Sequence, residues 1–166
     1  QLGDGTTTDR STPVQVASGV SSVSLGAYHT MFLKTDGTLW GMGNNGNGRL
    51  GDGTTTSRST PVQVASGVTG VSVGNFIGLT MFLKTDGTLW GMGNNSFGGL
   101  GDGTTTERST PVQVASGVSS VSVGYRHTMF LKTDGTLWGM GSNGAGQLGR
   151  SEEHTSELQS RFGISY

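Results

Sequence analysis

The sequence predicts an all-β protein built from short antiparallel sheets, and the main observation behind this prediction is internal repetition. Two long strings each occur three times. The string Leu-Gly-Asp-Gly-Thr-Thr-Thr starts at Leu2, Leu50 and Leu100, and Phe-Leu-Lys-Thr-Asp-Gly-Thr-Leu-Trp-Gly-Met-Gly starts at Phe32, Phe82 and Phe130. Spacings of 48 and 50 residues between copies are typical of propellers and solenoids. We therefore divide residues 1–149 into repeat units of about 1–49, 50–99 and 100–149.

The composition agrees with this fold class. Of the 166 residues, 31 are glycine and only 13% are charged. These values argue against a helix-rich protein and against a highly charged disordered chain.

Each repeat contains Thr-Asp-Gly-Thr, which predicts a tight hairpin. In the first repeat, residues 36–37 would form a two-residue type I′ loop, because glycine adopts positive φ readily and aspartate tolerates it. This loop would pair Leu33 with Trp40 on a bulky face. On the other face, Phe32 would lie over Gly41. Both faces of the hairpin are therefore expected to be largely apolar.

Residues 12–17 and 20–26 predict two further strands, which gives four strands per repeat. A sheet with two apolar faces must be covered on both sides, and stacking similar sheets side by side achieves this. The predicted architecture is a β-propeller fragment of about three four-stranded antiparallel blades. Because closed propellers have about 4 to 8 blades, we expect one arc of a larger ring, whose uncovered end faces promote association or aggregation.

Three motifs follow one another in order: Gly-x-x-His-Thr, then Leu-Lys-Thr-Asp-Gly-Thr-Leu-Trp-Gly-Met-Gly-x-Asn, then Gly-x-Leu-Gly-Asp-Gly-Thr-Thr. Over residues 1–149 this order resembles the regulator of chromosome condensation repeat family, and in particular its bacterial branch, in which Thr-Pro-Val-Gln-Val closes each unit. The resemblance implies a propeller, commonly of seven blades. The second repeat departs from the pattern, since residues 74–80 include two extra residues and lack the histidine.

The resemblance indicates a scaffold but no specific task, and we expect a non-enzymatic protein-interaction scaffold that uses loops on the rim of the propeller. Two alternatives stay open: blades that support a catalytic or anchoring domain elsewhere, and guanine-nucleotide exchange by analogy with the family founder. A protein is the expected partner, and a surface glycan is the other class considered. We leave the compartment open, with an extracellular or cell-surface bacterial location favoured.

Residues 150–166 interrupt the repeat pattern. After Gly149 and Arg150 the chain reads Ser-Glu-Glu-His-Thr-Ser-Glu-Leu-Gln-Ser, which resembles the in-frame translation of a common sequencing-library adapter. We interpret this tail as non-native and the repeats as a metagenomic fragment. The tail is excluded from inferences about fold and function.

Charge and composition argue against several classes of function. The net charge of −1 gives no electrostatic attraction to nucleic acid or to an anionic membrane. The absence of cysteine excludes disulfides and thiolate metal sites. No segment approaches the ~18 apolar residues of a membrane helix. We expect no nucleic-acid partner, no membrane insertion and no cofactor.

Three motifs that could carry chemistry are expected to be structural. Glycine motifs at Gly41 and Gly139 have dinucleotide-binding spacing but lack the following helix that would hold a pyrophosphate. His29 and His127 begin predicted strands, and an active site is seldom repeated blade after blade. The Asp-Gly-Thr-Thr-Thr loops contain oxygen ligands suited to calcium, but an Asx-type turn explains them better. We therefore predict no catalytic and no metal-binding residues.

The copies differ mainly in two loops of each repeat. Loops on a rigid scaffold are where binding specificity resides, and aromatic and arginine side chains are preferred interface anchors. Neutral drift in loops that tolerate change is the alternative explanation. The candidate partner-binding residues are Tyr28, Arg49, Phe76, Phe97, Tyr125, Arg126 and Gln147.

Overall fold

The computed structural model describes residues 2–149, which form eleven strands in three antiparallel sheets. Blade 1 contains β1 (Val20–Leu25), β2 (His29–Lys34), β3 (Leu39–Gly43) and β4 (Arg58–Ala65). Blade 2 contains β5 (Val68–Val73), β6 (Leu79–Lys84), β7 (Leu89–Gly93) and β8 (Arg108–Ala115). Blade 3 contains β9 (Val118–Val123), β10 (His127–Lys132) and β11 (Leu137–Gly141). The predicted all-β architecture is confirmed, with the third sheet three-stranded within the described residues.

The tight hairpin is present, but its loop has three residues where the sequence predicts two. The Lys34 amide donates a hydrogen bond to the Thr38 carbonyl at 2.9 Å, and the Gly37 amide donates to the Lys34 carbonyl at 3.0 Å. Gly37 has φ of 78°, whereas no non-glycine residue has positive φ in the described chain. This pattern is a type I turn closed by a glycine bulge, so the type I′ prediction is wrong.

The longer loop shifts the hairpin register by one residue. The observed pairs include Leu33 with Leu39, Phe32 with Trp40 and Met31 with Gly41. The predicted pairing of Leu33 with Trp40 and the placement of Phe32 over Gly41 are therefore wrong. Phe32 instead stacks on Trp40, with ring centroids 6.5 Å apart. A one-residue shift has this effect because neighbouring residues of a strand point to opposite faces.

Adjacent blades pack through different but complementary faces. The face of blade 1 that carries Met31 and Leu39 contacts the face of blade 2 that carries Phe82 and Met92. Blade 2 packs on blade 3 in the same way. Gly41 leaves room for the Met31 side chain, since a Cβ at Gly41 would lie 2.8 Å from the Met31 sulfur. The expected stacking of blades is present, with a methionine where the sequence analysis placed an aromatic ring.

Residues 12–17 do not form a strand, contrary to the prediction. The octapeptide Arg-Ser-Thr-Pro-Val-Gln-Val-Ala occupies residues 10–17, 58–65 and 108–115, and it forms β4 and β8 by pairing with β3 and β7. No Leu-Trp-Gly-Met-Gly segment precedes its first copy in the sequence. Without that neighbour the backbone groups have no ladder to join. Each complete blade therefore takes its fourth strand from the next repeat unit.

Candidate functional site

The two variable loops of each repeat meet at one edge of the blades. His29, the first residue of β2, pairs with Gly43, the last residue of β3. This pairing brings the loop before β2 beside the loop after β3. In blade 2 the inserted loop ends at Gly78, and β6 begins at Leu79 in the place that His29 occupies in blade 1. The insertion therefore lengthens the loop without shifting the strand.

Four of the seven candidate residues lie together at the junction of blades 2 and 3. The rings of Phe76 and Tyr125 stack with centroids 4.3 Å apart and planes 18° apart. The guanidinium carbon of Arg126 lies 4.4 Å from the Phe97 ring centroid and 5.1 Å from that of Tyr125. We call these four residues the aromatic–arginine cluster. They come from three separate loops.

The cluster is exposed although its side chains contact one another. Phe76, Tyr125 and Phe97 retain 52%, 51% and 41% of their accessible surface. The Arg126 side chain is half-buried and forms no ion pair with any residue in 2–149. Adjacent exposed aromatic rings beside a cation are unusual on a free surface and typical of an interface.

Backbone hydrogen bonds hold the loops that present these rings. In the inserted loop, the Asn75 carbonyl accepts a hydrogen bond from the Ala27 amide of blade 1 at 3.1 Å, and the Gly74 amide donates to the Leu79 carbonyl at 2.8 Å. The loop is therefore attached to blade 1 through its backbone while Phe76 stacks on blade 3. This attachment makes the arrangement of the cluster preorganised rather than dependent on a ligand.

Arg49 has a different environment from the cluster. It is 8% exposed, and its guanidinium lies against Gly78, where a Cβ would come within 2.6 Å of Nε. Nη2 donates a hydrogen bond to the Asn47 side-chain carbonyl at 2.6 Å. Burial lowers the pKa of Arg49, whereas the charge of Glu107 and the hydroxyl of Tyr28 oppose this effect. The structure thus places Arg49 inside the junction of blades 1 and 2.

The two blade junctions have different residues at equivalent positions. At the first junction, Arg49 from the loop after β3 packs on Gly78 from the loop before β6. At the second junction, the equivalent residues are Gly99 and Arg126, and a Cβ at Gly99 would lie 3.7 Å from the Arg126 carbonyl oxygen. The Arg126 guanidinium instead lies over the rings of Phe97 and Tyr125, so only the first junction packs an arginine side chain on a glycine.

Tyr28 and Gln147 lie apart from the cluster. Tyr28 is exposed near Arg49 at the first junction. Gln147 is exposed at the end of blade 3, where its side-chain carbonyl accepts a hydrogen bond from the Ala145 amide at 2.9 Å. The structure therefore does not bring all seven candidate residues into one surface.

His29 has a structural role at the first junction. It is buried, and its Nε2 lies 3.0 Å from Oγ1 of Thr80. Since Thr80 donates its hydroxyl proton to the Arg49 carbonyl at 2.9 Å, Nε2 must be the protonated nitrogen that donates to Thr80. Burial, and secondarily the positive charge of Arg49, lower the pKa of His29 to about 4. These contacts hold His29 inside the junction of blades 1 and 2.

The aspartate loops form Asx-type turns that are closed by ion pairs. In the first loop, the Thr6 amide donates to Oδ1 of Asp4 at 3.0 Å, and Arg10 Nε donates to Oδ2 at 2.7 Å. Hydrogen bonds from Thr6 and then Arg10 lower the pKa of Asp4 to about 2. The loops at Asp52 and Asp102 have the same contacts. Among residues 2–149, no group of three or more His, Asp or Glu side chains is placed to hold a metal ion.

A buried asparagine organises the long loop after β7, and sequence analysis missed it. The Asn95 side-chain amide donates to Asp102 Oδ1 at 3.1 Å and to the Thr104 carbonyl at 3.0 Å, while its oxygen accepts from the Leu100 amide at 3.0 Å. Asn45 has the equivalent role in blade 1. The signal in the sequence was an asparagine five residues before the Leu-Gly-Asp-Gly motifs at Leu50 and Leu100.

The Asn95→Ala variant should lose about 2 kcal/mol of unfolding free energy in urea denaturation, because three hydrogen bonds of a buried side chain disappear and the Leu100 amide loses its acceptor. The matched control is Asn143→Ala. Asn143 is exposed, and among the described residues it keeps only one of the three equivalent contacts, a hydrogen bond that it accepts from the Leu148 amide. Its loss should stay below about 1 kcal/mol. Equal losses in the two variants would contradict a special role for the buried network.

Comparison with known families decides the assignment of the chain. A family model described as the regulator of chromosome condensation (RCC1) repeat matches residues 1–33, 36–81 and 86–131. A second model with the same description matches residues 20–49 and 118–147. The chain belongs to the RCC1 repeat family. The resemblance of its motifs to this family is therefore confirmed.

Solved structures agree with an RCC1 propeller. Human WBSCR16 is 23% identical, with a TM-score of 0.69 over 77% of this chain and 34% of that one. Yeast RCC1 (Prp20) bound to Kap60 is 22% identical, with a TM-score of 0.63 over 80% and 34%. Prp20p from Saccharomyces cerevisiae, described with its binding properties to Gsp1p and histones, is 21% identical, with a TM-score of 0.64 over 85% and 36%.

These similarities show the propeller fold alone, because all three identities are below 25%. The RCC1-repeat chain spans about a third of the length of each structure. No curated protein sequence matches it significantly. Within residues 2–149, no helix is long and apolar enough to cross a membrane.

Proposed function

We propose that this RCC1-repeat chain is a non-enzymatic interaction module that binds a protein through the aromatic–arginine cluster. The single observation that carries the proposal is the convergence of Phe76, Phe97, Tyr125 and Arg126 from three loops into one exposed surface. Aromatic residues and arginine are enriched at protein interfaces, and tyrosine and arginine are among the residues that dominate binding energy there.

The chemistry of the cluster favours a partner that offers an apolar or aromatic side chain next to a carboxylate. The stacked rings of Phe76 and Tyr125 provide apolar area, and Arg126 provides a positive charge that no acidic residue in 2–149 neutralises through an ion pair. Arginine binds carboxylates in a bidentate manner and also stacks on rings. Arg126 can therefore contact Phe97 and a carboxylate at the same time.

The scaffold supports this use because the cluster is held in place before a partner arrives. Exposed cation–π contacts contribute about 0.5–1 kcal/mol each, and a stacked aromatic pair adds a similar amount. With the loop backbone also hydrogen-bonded, little side-chain entropy remains to be lost on binding. A rigid, exposed surface of this kind is suited to recognition rather than to chemistry.

The proposal can be tested by selecting peptide ligands from a random displayed library against the full chain. Phe97→Ala and Arg126→Ala should each weaken the selected peptides by about 10- to 30-fold, since truncating an interface anchor costs about 2 kcal/mol. Tyr28→Ala is the matched control, because Tyr28 is an exposed aromatic residue outside the cluster. It should change the affinity by less than about twofold.

The fold of each variant must be checked by circular dichroism and thermal unfolding. Peptides that depend on Tyr28 as much as on Phe97, or on neither residue, would overturn the assignment of the surface. If glycans bind to the cluster on an array and peptides do not, the partner class in the proposal is wrong.

A further inference from the structure

The loop before β6 is two residues longer than the equivalent loops of blades 1 and 3, although all three loops close in the same way. In blade 1 the Gly26 amide donates a hydrogen bond to the His29 carbonyl at 2.9 Å, and blade 3 has the equivalent bond at 2.9 Å. In blade 2 the Gly74 amide donates to the Leu79 carbonyl at 2.8 Å, across four residues instead of two. The insertion therefore leaves the start of the following strand unchanged.

The inserted segment places two large apolar side chains in opposite environments. Ile77 is half-buried and packs against the hydrophobic cluster between blades 2 and 3, which includes Leu79 and Leu100. Phe76 is exposed and stacks on Tyr125. Ile77 thus anchors the loop, while Phe76 forms part of the aromatic–arginine cluster.

Backbone hydrogen bonds hold the loop on both sides of these two residues. The Asn75 carbonyl accepts from the Ala27 amide of blade 1 at 3.1 Å, and the Gly78 carbonyl accepts from the Asn94 amide at 3.2 Å. The Phe76 ring therefore projects from a segment that is fixed at both ends and, through Ile77, at its base. A side chain supported in this way keeps its orientation before a ligand binds.

The exposed pair of rings favours one kind of partner side chain. An aromatic ring gains affinity from offset-stacked or edge-to-face contacts in addition to the burial of its area. An aliphatic side chain gains from the buried area alone. The charge of the cluster comes from Arg126, in the loop before β10, whereas Phe76 belongs to the loop before β6. Recognition of a ring and recognition of a carboxylate therefore depend on different loops.

We infer that the inserted residues Phe76 and Ile77 make the aromatic–arginine cluster specific for an aromatic side chain of its partner. Phe76 is the contact residue, and Ile77 is the positioning residue that holds it against Tyr125. The inference rests on the proposed function, because it concerns the same surface. Specificity is a difference between two affinities, so it is measured as the ratio by which the chain prefers an aromatic ligand to an aliphatic one.

The variant that lacks residues 76–77 tests the inference without removing the contacts that close the loop. Its loop reads Gly-Asn-Gly-Leu-Thr, which has the same length as the native loops at residues 26–30 and 124–128. A random displayed peptide library is selected in parallel against the full native chain and against this loop-deletion variant. Peptides selected by the native chain should share an aromatic position, and those selected by the loop-deletion variant should not.

The peptides selected by the native chain then give a measured ratio. Replacing their shared aromatic residue with leucine should weaken binding to the native chain about fivefold, the size expected for one aromatic pair, and to the loop-deletion variant less than about 1.5-fold. Replacing the peptide carboxylate with an amide should weaken binding to both chains by the same factor, because both retain Arg126. Arg126→Gln is the matched control. It should abolish the effect of the amide replacement and keep the effect of leucine.

Ile77→Ala tests the positioning role, with Ile77→Leu as the conservative variant. Although Ile77→Ala retains Phe76, its preference for the aromatic peptide should fall below about twofold, whereas Ile77→Leu has a side chain of similar volume and should keep the preference. The NMR shifts of the Tyr125 ring protons report the stacking without any ligand. The ring-current shift from Phe76 should be lost in Ile77→Ala and retained in Ile77→Leu. Retention of the shift and of the preference in Ile77→Ala would contradict the positioning role.

The outcomes distinguish this inference from the proposed function. Peptides that depend on Phe97 and Arg126, but bind the loop-deletion variant with an unchanged aromatic preference, would overturn the inference alone. Peptides that share no aromatic position would also overturn it. Peptides that depend on no residue of the cluster would overturn the proposed function and this inference together.

Discussion

The Gly93→Ala variant should lose about 4 kcal/mol of unfolding free energy, a large fraction of the stability of a domain this size. Gly93 has φ of 99°, and a Cβ there would overlap the carbonyl oxygen of Gly78. The same Cβ would lie 3.1 Å from the Arg49 Cα in the neighbouring blade. Left-handed backbone alone costs an alanine about 1–2 kcal/mol. The overlap adds the rest, because it can be relieved only by moving backbone at the junction.

Gly103→Ala separates these two contributions. Gly103 also has positive φ, at 77°, but no atom lies within 4 Å of the position of its Cβ. Its loss in urea denaturation should therefore be limited to the backbone cost of about 1–2 kcal/mol. Equal losses for the two variants would mean that the close approach of Gly93 to Gly78 is not important for stability.

The stability of the native chain should fall by about 3 kcal/mol as the pH is lowered from about 6.5 to about 4, through His29. The folded pKa of His29 is below its unfolded value, so within this window the unfolded state binds the extra proton. The stabilisation is complete above pH 6.5 and is lost as the pH falls towards 4. The aspartates titrate separately. Since folding lowers their pKa, their contribution is lost below their ordinary value of 3.8.

His29→Leu should remove this dependence, which urea denaturation at a series of pH values would measure. Leucine already occupies the equivalent position in blade 2, where Leu79 is fully buried. The facing Thr128 there donates to the Gly99 carbonyl at 2.8 Å, so its hydroxyl is satisfied without a histidine. His127→Leu is the control and should leave the dependence in place. Persistence of the full dependence in His29→Leu would show that another group causes it.

Repetition made the fold class predictable, because three copies of the same motifs at spacings of 48 and 50 residues predict three similar sheets. The hairpin register was not predictable with the same certainty, since Thr-Asp-Gly-Thr suits both a two-residue loop and a three-residue loop. The choice is visible only in the φ of Asp36 and in the hydrogen bond between Lys34 and Thr38. One residue of loop length then decides whether Phe32 lies opposite Trp40 or Gly41.

Residue type indicated the candidate binding residues, but only the three-dimensional structure shows which of them lie in one exposed cluster and which are buried. Phe97 and Arg126 are 29 positions apart in sequence and come from different repeat units, yet they stack. Arg49 was chosen by the same criteria and lies buried against Gly78. The difference arises because the Arg49 guanidinium packs on Gly78 of the neighbouring blade, whereas the Arg126 guanidinium lies over the rings of Phe97 and Tyr125. A single loop sequence does not contain this relation.

The most direct test of the interaction-module account is hydrogen–deuterium exchange of the full chain with and without a peptide selected against it. The account predicts slower exchange in residues 74–78, 95–99 and 124–127, which form and support the aromatic–arginine cluster. The equivalent blade 1 loop, residues 26–29, should exchange at an unchanged rate. Protection centred on blade 1, or no local protection despite measured binding, would contradict the account.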